Sequence, residues 1–371
     1  MRDRIFLSPP HMGGNELKYI EEAFKANYIA PVGENLNKFE EAIKNYTGAK
    51  YALAVVSGTS AIHLALRILG IKDGDEVLAS TFTFIGSVNA ILYERAIPFF
   101  IDSDYKSWNL DPNLLYEELS NRKKSNKKMP KALILTHIYG QSADIEKITN
   151  ICNEFEVYLI EDSAESLGAT FKGKQSGTFG KAGIYSFNGN KIITTSGGGV
   201  LVSDDESLIK EARFLSTQAK ENHLYYEHKT YGYNYRMSNI VAGIGRGQME
   251  VLSDRVKRKR EIFDLYKKHL SSEIEFMPEL ENSIGNRWLI TILLKDGALI
   301  DRVIKALEKE NIESRPLWKP MHLQPLFKDA KSLTNGVSED LFNRGLCLPS
   351  GTNMSDGDVE MISEIINMKI N

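Results

Sequence analysis

Short apolar runs alternate with amphipathic stretches along the first half of the chain. Residues 51–56, 76–79, 97–101, 132–136 and 157–160 are apolar runs of strand length. Between them, residues 60–69, 85–94 and 144–155 repeat apolar side chains at helical spacing, and Gly70 stops the first of these helices. Strands separated by helices of this length predict a mostly parallel sheet covered on both faces. Nearer the start, Asn15 is placed to cap a helix carrying Leu17, Ile20 and Phe24 at helical spacing.

Residues 238–270 contain no proline and favour helix, although Gly243, Gly245 and Gly247 weaken its start. A helix or broken helix there would carry the chain out of the sheet domain. Beyond it, residues 288–294 read as a strand and 300–309 as a helix. The pattern predicts an α/β fold with a large domain over residues 1–245 and a smaller α+β domain over residues 246–371.

The 371 residues include 42% hydrophobic and 26% charged side chains, as in ordinary water-soluble globular proteins. Lysine and arginine (46) nearly balance aspartate and glutamate (49), so no electrostatic drive toward nucleic acid or acidic lipid is expected. The basic segment 122–131 has no interleaved aromatics and reads as a solvated surface loop. Cys152 and Cys347 lack zinc-site spacing and read as buried free thiols, and no HExxH pair suggests a metal centre. Three apolar residues before Ser8-Pro9-Pro10 are too few for a signal peptide, and no apolar run has membrane-span length. A cytoplasmic protein is the expectation.

Open α/β sheets hold ligands beyond the carboxyl ends of their strands, and several polar motifs fall there. Ser57-Gly58-Thr59-Ser60-Ala61 joins a strand to a helix, and its small residues and hydroxyls suit a phosphate at a helix N-terminus. The alternative is an ordinary strand-to-helix turn. Glu161-Asp162-Ser163-Ala164-Glu165 follows another strand. Asp162 suits the partner of a protonated pyridine nitrogen, or else a helix cap. Tyr185-Ser186-Phe187-Asn188-Gly189-Asn190-Lys191 precedes Thr194-Thr195-Ser196-Gly197-Gly198-Gly199. There Ser186 suits a phosphate and Lys191 suits an aldehyde that takes an amine as a Schiff base, the chemistry of pyridoxal 5'-phosphate. Phe84 offers a stacking face, or a core aromatic. Tyr231-Gly232-Tyr233-Asn234-Tyr235-Arg236 is polar and aromatic without period, which suits binding or subunit contact. Arg315-Pro316-Leu317-Trp318 and His322 gather a cation, a stacking surface and a second donor, as a phosphorylated or nucleotide-bearing substrate would require.

In this order the motifs resemble the DegT/StrS-type sugar-nucleotide aminotransferases over nearly the whole chain, from Phe6 to Cys347-Leu348-Pro349-Ser350-Gly351. Leu7-Ser8-Pro9-Pro10-His11-Met12-Gly13-Gly14-Asn15-Glu16 and Phe187-Asn188-Gly189-Asn190-Lys191 look especially like the branch acting on UDP-linked 4-keto-6-deoxy-N-acetylhexosamine in bacillosamine-type glycan synthesis. The resemblance implies a fold-type I architecture and a homodimer with shared active sites. It also implies L-glutamate as amino donor, with the cofactor passing through pyridoxamine 5'-phosphate. Lys191 would be the Schiff-base lysine, Asp162 the pyridine partner and Phe84 the stacking ring. Gly58, Thr59, Ser60 and Ser186 would hold the phosphate, completed by Asn234 from a second subunit. Asn190, Arg236, Arg315 and His322 would lie near the nucleotide-sugar. Glu165, beside the cofactor, stands where many relatives carry histidine. A sugar dehydratase of the same architecture has histidine at the lysine position, so Lys191 argues against one. An aminotransferase for another keto substrate and a non-catalytic cofactor-binding sensor remain the alternatives.

Overall fold

The apolar runs form strands and the amphipathic stretches between them form helices. The computed structural model describes residues 3–370. In chain order, α1 (Glu16–Lys25) and α2 (Glu34–Thr47) precede β1 (Tyr51–Val55), α3 (Gly58–Ile68), β2 (Glu76–Ser80), α4 (Ile85–Tyr93) and β3 (Ile97–Ile101). Then come α5 (Pro112–Lys124), β4 (Ala132–Thr136), α6 (Ile145–Glu154) and β5 (Tyr158–Asp162). A short ribbon of β6 (Thr170–Phe171) and β7 (Lys174–Gln175) leads to β8 (Ala182–Ser186), β9 (Gly199–Ser203), α7 (Glu206–Ser216), α8 (Asn239–Glu250) and α9 (Leu252–His269). The remainder adds β10 (Glu275–Phe276), β11 (Ser283–Ile284), β12 (Ile290–Leu293), α10 (Leu299–Lys309) and β13 (Arg315–Pro316). It ends with β14 (Lys331–Leu333), α11 (Val337–Arg344), β15 (Gly345–Leu348) and α12 (Asp356–Ile370).

The central sheet runs β1-β9-β8-β5-β4-β2-β3-β14. Pairing is parallel from β8 through β14, and β9 runs antiparallel to both its neighbours. Burial on both faces explains the unbroken apolar runs: in β4, Ala132 and Ile134 join one core cluster while Leu133 and Leu135 join another. A smaller sheet, β10-β12-β15-β13, packs with α10 and α12 around Ile290, Val303 and Ile362. The division expected at residue 245 falls inside α8, and β14 returns from the C-terminal part to the large sheet.

Two local expectations at α1 change. Asn15 occupies the cap position of α1 without a side-chain cap bond, its amide donating to Glu250 at 2.6 Å. Glu16 folds back instead, its carboxylate accepting from the Gly13 and Gly14 N–H groups at 2.6 and 2.8 Å. The apolar positions Leu17 and Phe24 face outward, 71% and 58% exposed, because α1 turns Tyr19 and Ala23 inward. The glycines of α8 explain that choice. A Cβ on Gly247 would lie 2.8 Å from Glu16 N, and one on Gly245 would lie 2.7 Å from the Phe39 ring. They cost helix propensity and permit close approach. Helix then breaks at Val251 between α8 and α9.

The basic segment is not simply solvated. α5 runs through Lys124, and buried Arg122 bonds to Glu76 and Glu118, both at 2.6 Å. Lys128 and Lys131 both pair with Asp75. Cys152 and Cys347 are buried and free, as their spacing suggested.

Candidate active site

The turn from β1 into α3 is built from small residues for steric reasons. Ser57 caps α3, its Oγ accepting from Ser60 N–H at 3.0 Å and lying 2.8 Å from Ser60 Oγ. A Cβ on Gly199, at the start of β9, would meet Ser57 C at 2.3 Å, and one on Gly58 would meet Ser186 Cβ at 3.2 Å. The helix N-terminus is thereby drawn against the end of β8. Gly58, Thr59 and Ser186 line a pocket of about 330 Å³ together with Asp162, Glu165 and Lys191. Among the described residues, the Thr59 and Ser186 hydroxyls have no protein hydrogen-bond partner.

Strand alternation sends the neighbouring carboxylates of β5 to different tasks. Asp162 reaches the pocket, where Oδ2 accepts from Ser87 Oγ at 2.5 Å and Oδ1 from Ala164 N–H at 3.1 Å. Ser87 comes from the first turn of α4, three residues after Phe84. Glu161 is wholly buried and accepts backbone N–H groups of Gly177, Phe179 and Gly180 at 2.8, 2.6 and 2.6 Å. His137 completes its shell: Nδ1 accepts from Ala143 N–H, so Nε2 carries the proton and donates to Glu161 at 2.9 Å. Glu161 fastens the loop after β7 and holds nothing in the pocket.

Lys191 Nζ lies 3.6 Å from Glu165 Oε1 and 4.3 Å from the centre of the Trp288 ring. Glu165 Oε2 accepts from Tyr139 N–H at 2.7 Å. Tyr139 adopts φ +52°, a left-handed conformation costing about 1–3 kcal/mol in a non-glycine residue, and it aims that N–H at the carboxylate. Burial pushes the Glu165 carboxyl up to about 7, opposed by Lys191 and the Tyr139 N–H, and Asp162 adds to the rise.

A second cavity of about 970 Å³ shares Phe84, Asn190, Trp288, Arg315 and Trp318 with this pocket. Phe84 is 56% exposed and meets the Trp318 ring at 5.6 Å. Arg315 and Lys319 place two cations on the cavity wall, and Glu313 binds the Arg315 guanidinium at 2.7 Å.

Most of the sequence-derived residues therefore converge: Gly58, Thr59, Phe84, Asp162, Glu165, Ser186, Asn190, Lys191 and Arg315 line the pocket. Ser60 sits one layer back, bonded to Ser57. His322 is not on the lining. Its Nδ1 bonds Thr81 Oγ1 at 2.6 Å and its Nε2 bonds Glu339 at 3.1 Å, so both ring nitrogens are occupied. Arg236 is held by Glu40 and the Ala54 carbonyl, both at 3.2 Å, beyond the far side of β1. Asn234 is exposed, away from this chain's own pocket, with its Oδ1 accepting from Gln218 at 3.0 Å.

Three residues are not singled out by the sequence, the pocket-lining Ser87 and Trp288 and, behind Glu165, Tyr139. Ser87 was detectable only as a hydroxyl one turn beyond Phe84. Trp288 falls at the start of a run read as a strand and Tyr139 in none of the motifs, and both are buried.

The donor set fits pyridoxal phosphate. A helix N-terminus with two free hydroxyls suits the phosphate, a positioned buried carboxylate suits the pyridine nitrogen, an exposed ring suits the ring face, and a lysine lines the same pocket. A family model described as the DegT/DnrJ/EryC1/StrS aminotransferase family matches residues 10–367. EpsN of Bacillus subtilis (strain 168), named as a candidate pyridoxal phosphate-dependent aminotransferase, is 51% identical over 372 residues, covering 99% of this chain and 96% of its own. GDP-perosamine synthase of Escherichia coli O157:H7 is 37% identical over 358 residues, covering 96% of each chain. Among solved structures, the aminotransferase TlmJ from Streptoalloteichus hindustanus matches with a TM-score of 0.91 at 26% identity, over 99% of both chains. The chain belongs to the DegT/DnrJ/EryC1/StrS aminotransferase family and is a pyridoxal phosphate-dependent aminotransferase of fold type I.

Proposed function

We propose that the protein moves the amino group of L-glutamate to C4 of a nucleotide-linked 4-keto-6-deoxy sugar, UDP-4-keto-6-deoxy-N-acetylglucosamine, for a bacterial surface glycan of the bacillosamine type. The observation that carries this reading is the 970 Å³ cavity opening onto the Lys191 pocket. It is far larger than an amino acid needs, its aromatic walls suit a base and a sugar, and Arg315 and Lys319 suit a diphosphate. The relative named GDP-perosamine synthase supports a nucleotide-linked amino sugar as product. A cytoplasmic reaction goes with a nucleotide-linked sugar and L-glutamate as substrates.

When bound, pyridoxal phosphate supplies an aldehyde that takes an amino group and a ring that accepts electrons from the neighbouring carbon. Lys191 Nζ would be the amine that holds the cofactor, and as a free amine it would take the proton from the donor Cα. It returns a proton at C4 of the sugar in the second half of the cycle. Asp162, oriented by Ser87 and Ala164, would accept the pyridinium N–H. Gly58, Thr59 and Ser186 would hold the phosphate, with Ser60 bracing Ser57 behind them. Asn234 of the partner subunit completes that grip, which makes a homodimer the active unit. Leu17, Phe24, Tyr28, Ile29 and Val32 leave an exposed apolar surface suited to the second copy.

Mass spectrometry of products from UDP-, GDP- and dTDP-linked 4-keto sugars with L-glutamate tests the reading. The UDP sugar should gain the amine together with release of 2-oxoglutarate. Amination of none of the three would return the protein to a small-keto-acid aminotransferase.

A further inference from the structure

We propose that Glu165 and the face of Trp288 form a docking site for the free amine of Lys191, holding Nζ in the pocket whenever it is not bonded to the cofactor. The proposal rests on Lys191 being the attachment amine.

Transamination frees this lysine once per cycle and keeps it free through the proton transfers of both half-reactions, during which its amine must stay within reach and change protonation state. A free lysine side chain has four rotatable bonds and a strong affinity for water. Something in the pocket must therefore compete with solvent for Nζ. The structure supplies two surfaces of suitable chemistry, a carboxylate oxygen at 3.6 Å and an indole face at 4.3 Å. At 3.6 Å the carboxylate contact is an ion contact rather than a hydrogen bond, and the negative face of an indole attracts the same cation. Lys191 is nearly buried between them, its side chain 10% exposed.

Both surfaces are fixed from behind, which distinguishes a built dock from an accidental contact. Tyr139 N–H occupies Glu165 Oε2, leaving Oε1 to face the amine. Tyr139 is in turn tied down, its hydroxyl accepting from Trp318 N–H at 2.9 Å. Trp288 is held at three atoms: Nε1 donates to Asn190 O at 2.7 Å, N donates to Asn286 Oδ1 at 2.8 Å, and O accepts from Lys259 Nζ at 2.8 Å. A histidine at position 165 would provide no full negative charge for the ammonium.

The dock must also release its proton. Burial brings the Glu165 carboxyl up to about 7, so it changes charge in the neutral range. The other ionisable groups around the pair are Asp162 on β5, Tyr139 after β4, Cys347 on β15 and Arg315 on β13. His11 and Lys259 border a small gap on another side of Lys191. Glu165 and Trp288 act through Lys191 and are positioning residues.

The test uses holoenzyme converted by L-glutamate to its pyridoxamine form, in which Lys191 is free. Brief acetic anhydride pulses over a pH series, read by peptide mass spectrometry, give the pH at which Lys191 labelling is half-maximal. With Glu165→Gln the ammonium loses its counter-charge, so the half-labelling pH should fall by about one unit, in the range an opposite charge within 4–6 Å produces. Trp288→Leu should lower it too, while Trp288→Phe, which keeps an aromatic face, should stay near wild type. Labelling that rises at every pH in both Glu165→Gln and Trp288→Leu without moving the midpoint would mean general loosening and would overturn the dock. An unchanged or raised midpoint in both would overturn it as well. Borohydride reduction of the unconverted enzyme, followed by mapping, separately checks that Lys191 carries the cofactor.

Discussion

Lys259, buried in α9, donates from Nζ to the carbonyl oxygen of Trp288 at 2.8 Å. Ser350 O and Ser8 Oγ, at 2.9 and 3.1 Å, complete three acceptors for the three hydrogens of an ammonium. One side chain thus ties the amino-terminal segment, the loop after β15 and the tryptophan facing Lys191. Burial pushes Lys259 down from 10.5 to about 7. Between those values the unfolded chain binds the extra proton, so this residue makes stability rise with pH from about 7 toward 10. In Lys259→Met, three oxygens lose a donor, at a cost of about 2–3 kcal/mol near neutral pH. That variant should also lose the rise. Urea midpoints at pH 6, 7, 8 and 9 measure both, and parallel pH profiles for the two proteins would disprove the assignment.

Glu161 and Asp162 are adjacent in sequence and should fail in opposite ways. Glu161→Gln places an amide among three backbone donors, so it should cost about 3 kcal/mol or more of stability. Whatever folded protein remains should still bind cofactor. Asp162→Asn should melt near wild type, because the amide oxygen still accepts from Ala164 N–H while the Ser87 hydroxyl can turn to accept from the amide N–H, yet it should lose cofactor on dialysis and most turnover. Thermal melts and cofactor absorbance on the same samples separate the two, and a cofactor-binding defect in Glu161→Gln as large as that in Asp162→Asn would contradict the division.

The sheet was legible because a parallel sheet buried on both faces writes each strand as an unbroken apolar run, as 132–136 shows. Helix α5 was not, since it buries little beyond Leu115, Leu119 and Arg122, and a buried arginine reads as surface until Glu76 and Glu118 are seen beside it. The outward face of α1 was chosen by glycines more than two hundred residues away, which local periodicity cannot register. In the site, residues with reactive groups on strand ends were found from their chemistry. Of the residues that orient them, Tyr139 acts through its backbone N–H, which no side-chain type announces, and Trp288 through a ring face that any core aromatic could offer. His322 misled for the converse reason: a histidine beside an arginine and a tryptophan looks like a ligand, and only the bonds to Thr81 and Glu339 show otherwise.

Arg315 and His322 then divide substrate binding from stability. The Arg315 side chain is 70% exposed, tied among the described residues only to neighbouring Glu313, and lies on the large cavity. Arg315→Ala should raise KM for the nucleotide-sugar about tenfold, the loss of one charge-assisted contact, with little change in the glutamate half-reaction. His322→Ala leaves Thr81 and Glu339 without a shared partner and should lower the melting temperature while KM stays within about twofold. Steady-state kinetics with each substrate varied decides the matter. A sugar KM that moves with His322 and not with Arg315 would reverse the assignment.

Asn234 provides the last and most geometric prediction. It is exposed on its own chain and does not line its own pocket, so in the proposed dimer its side chain would act across a subunit boundary. Lys191→Ala and Asn234→Ala should each be nearly inactive as homodimers. Mixed under conditions that exchange subunits, they form heterodimers in which one of two sites has both an intact lysine and an intact asparagine. Random pairing makes half the dimers mixed, so activity should recover to about a quarter of wild type. Absence of recovery despite exchange shown by native mass spectrometry would place Asn234 outside the site, and full activity of Asn234→Ala alone would do the same.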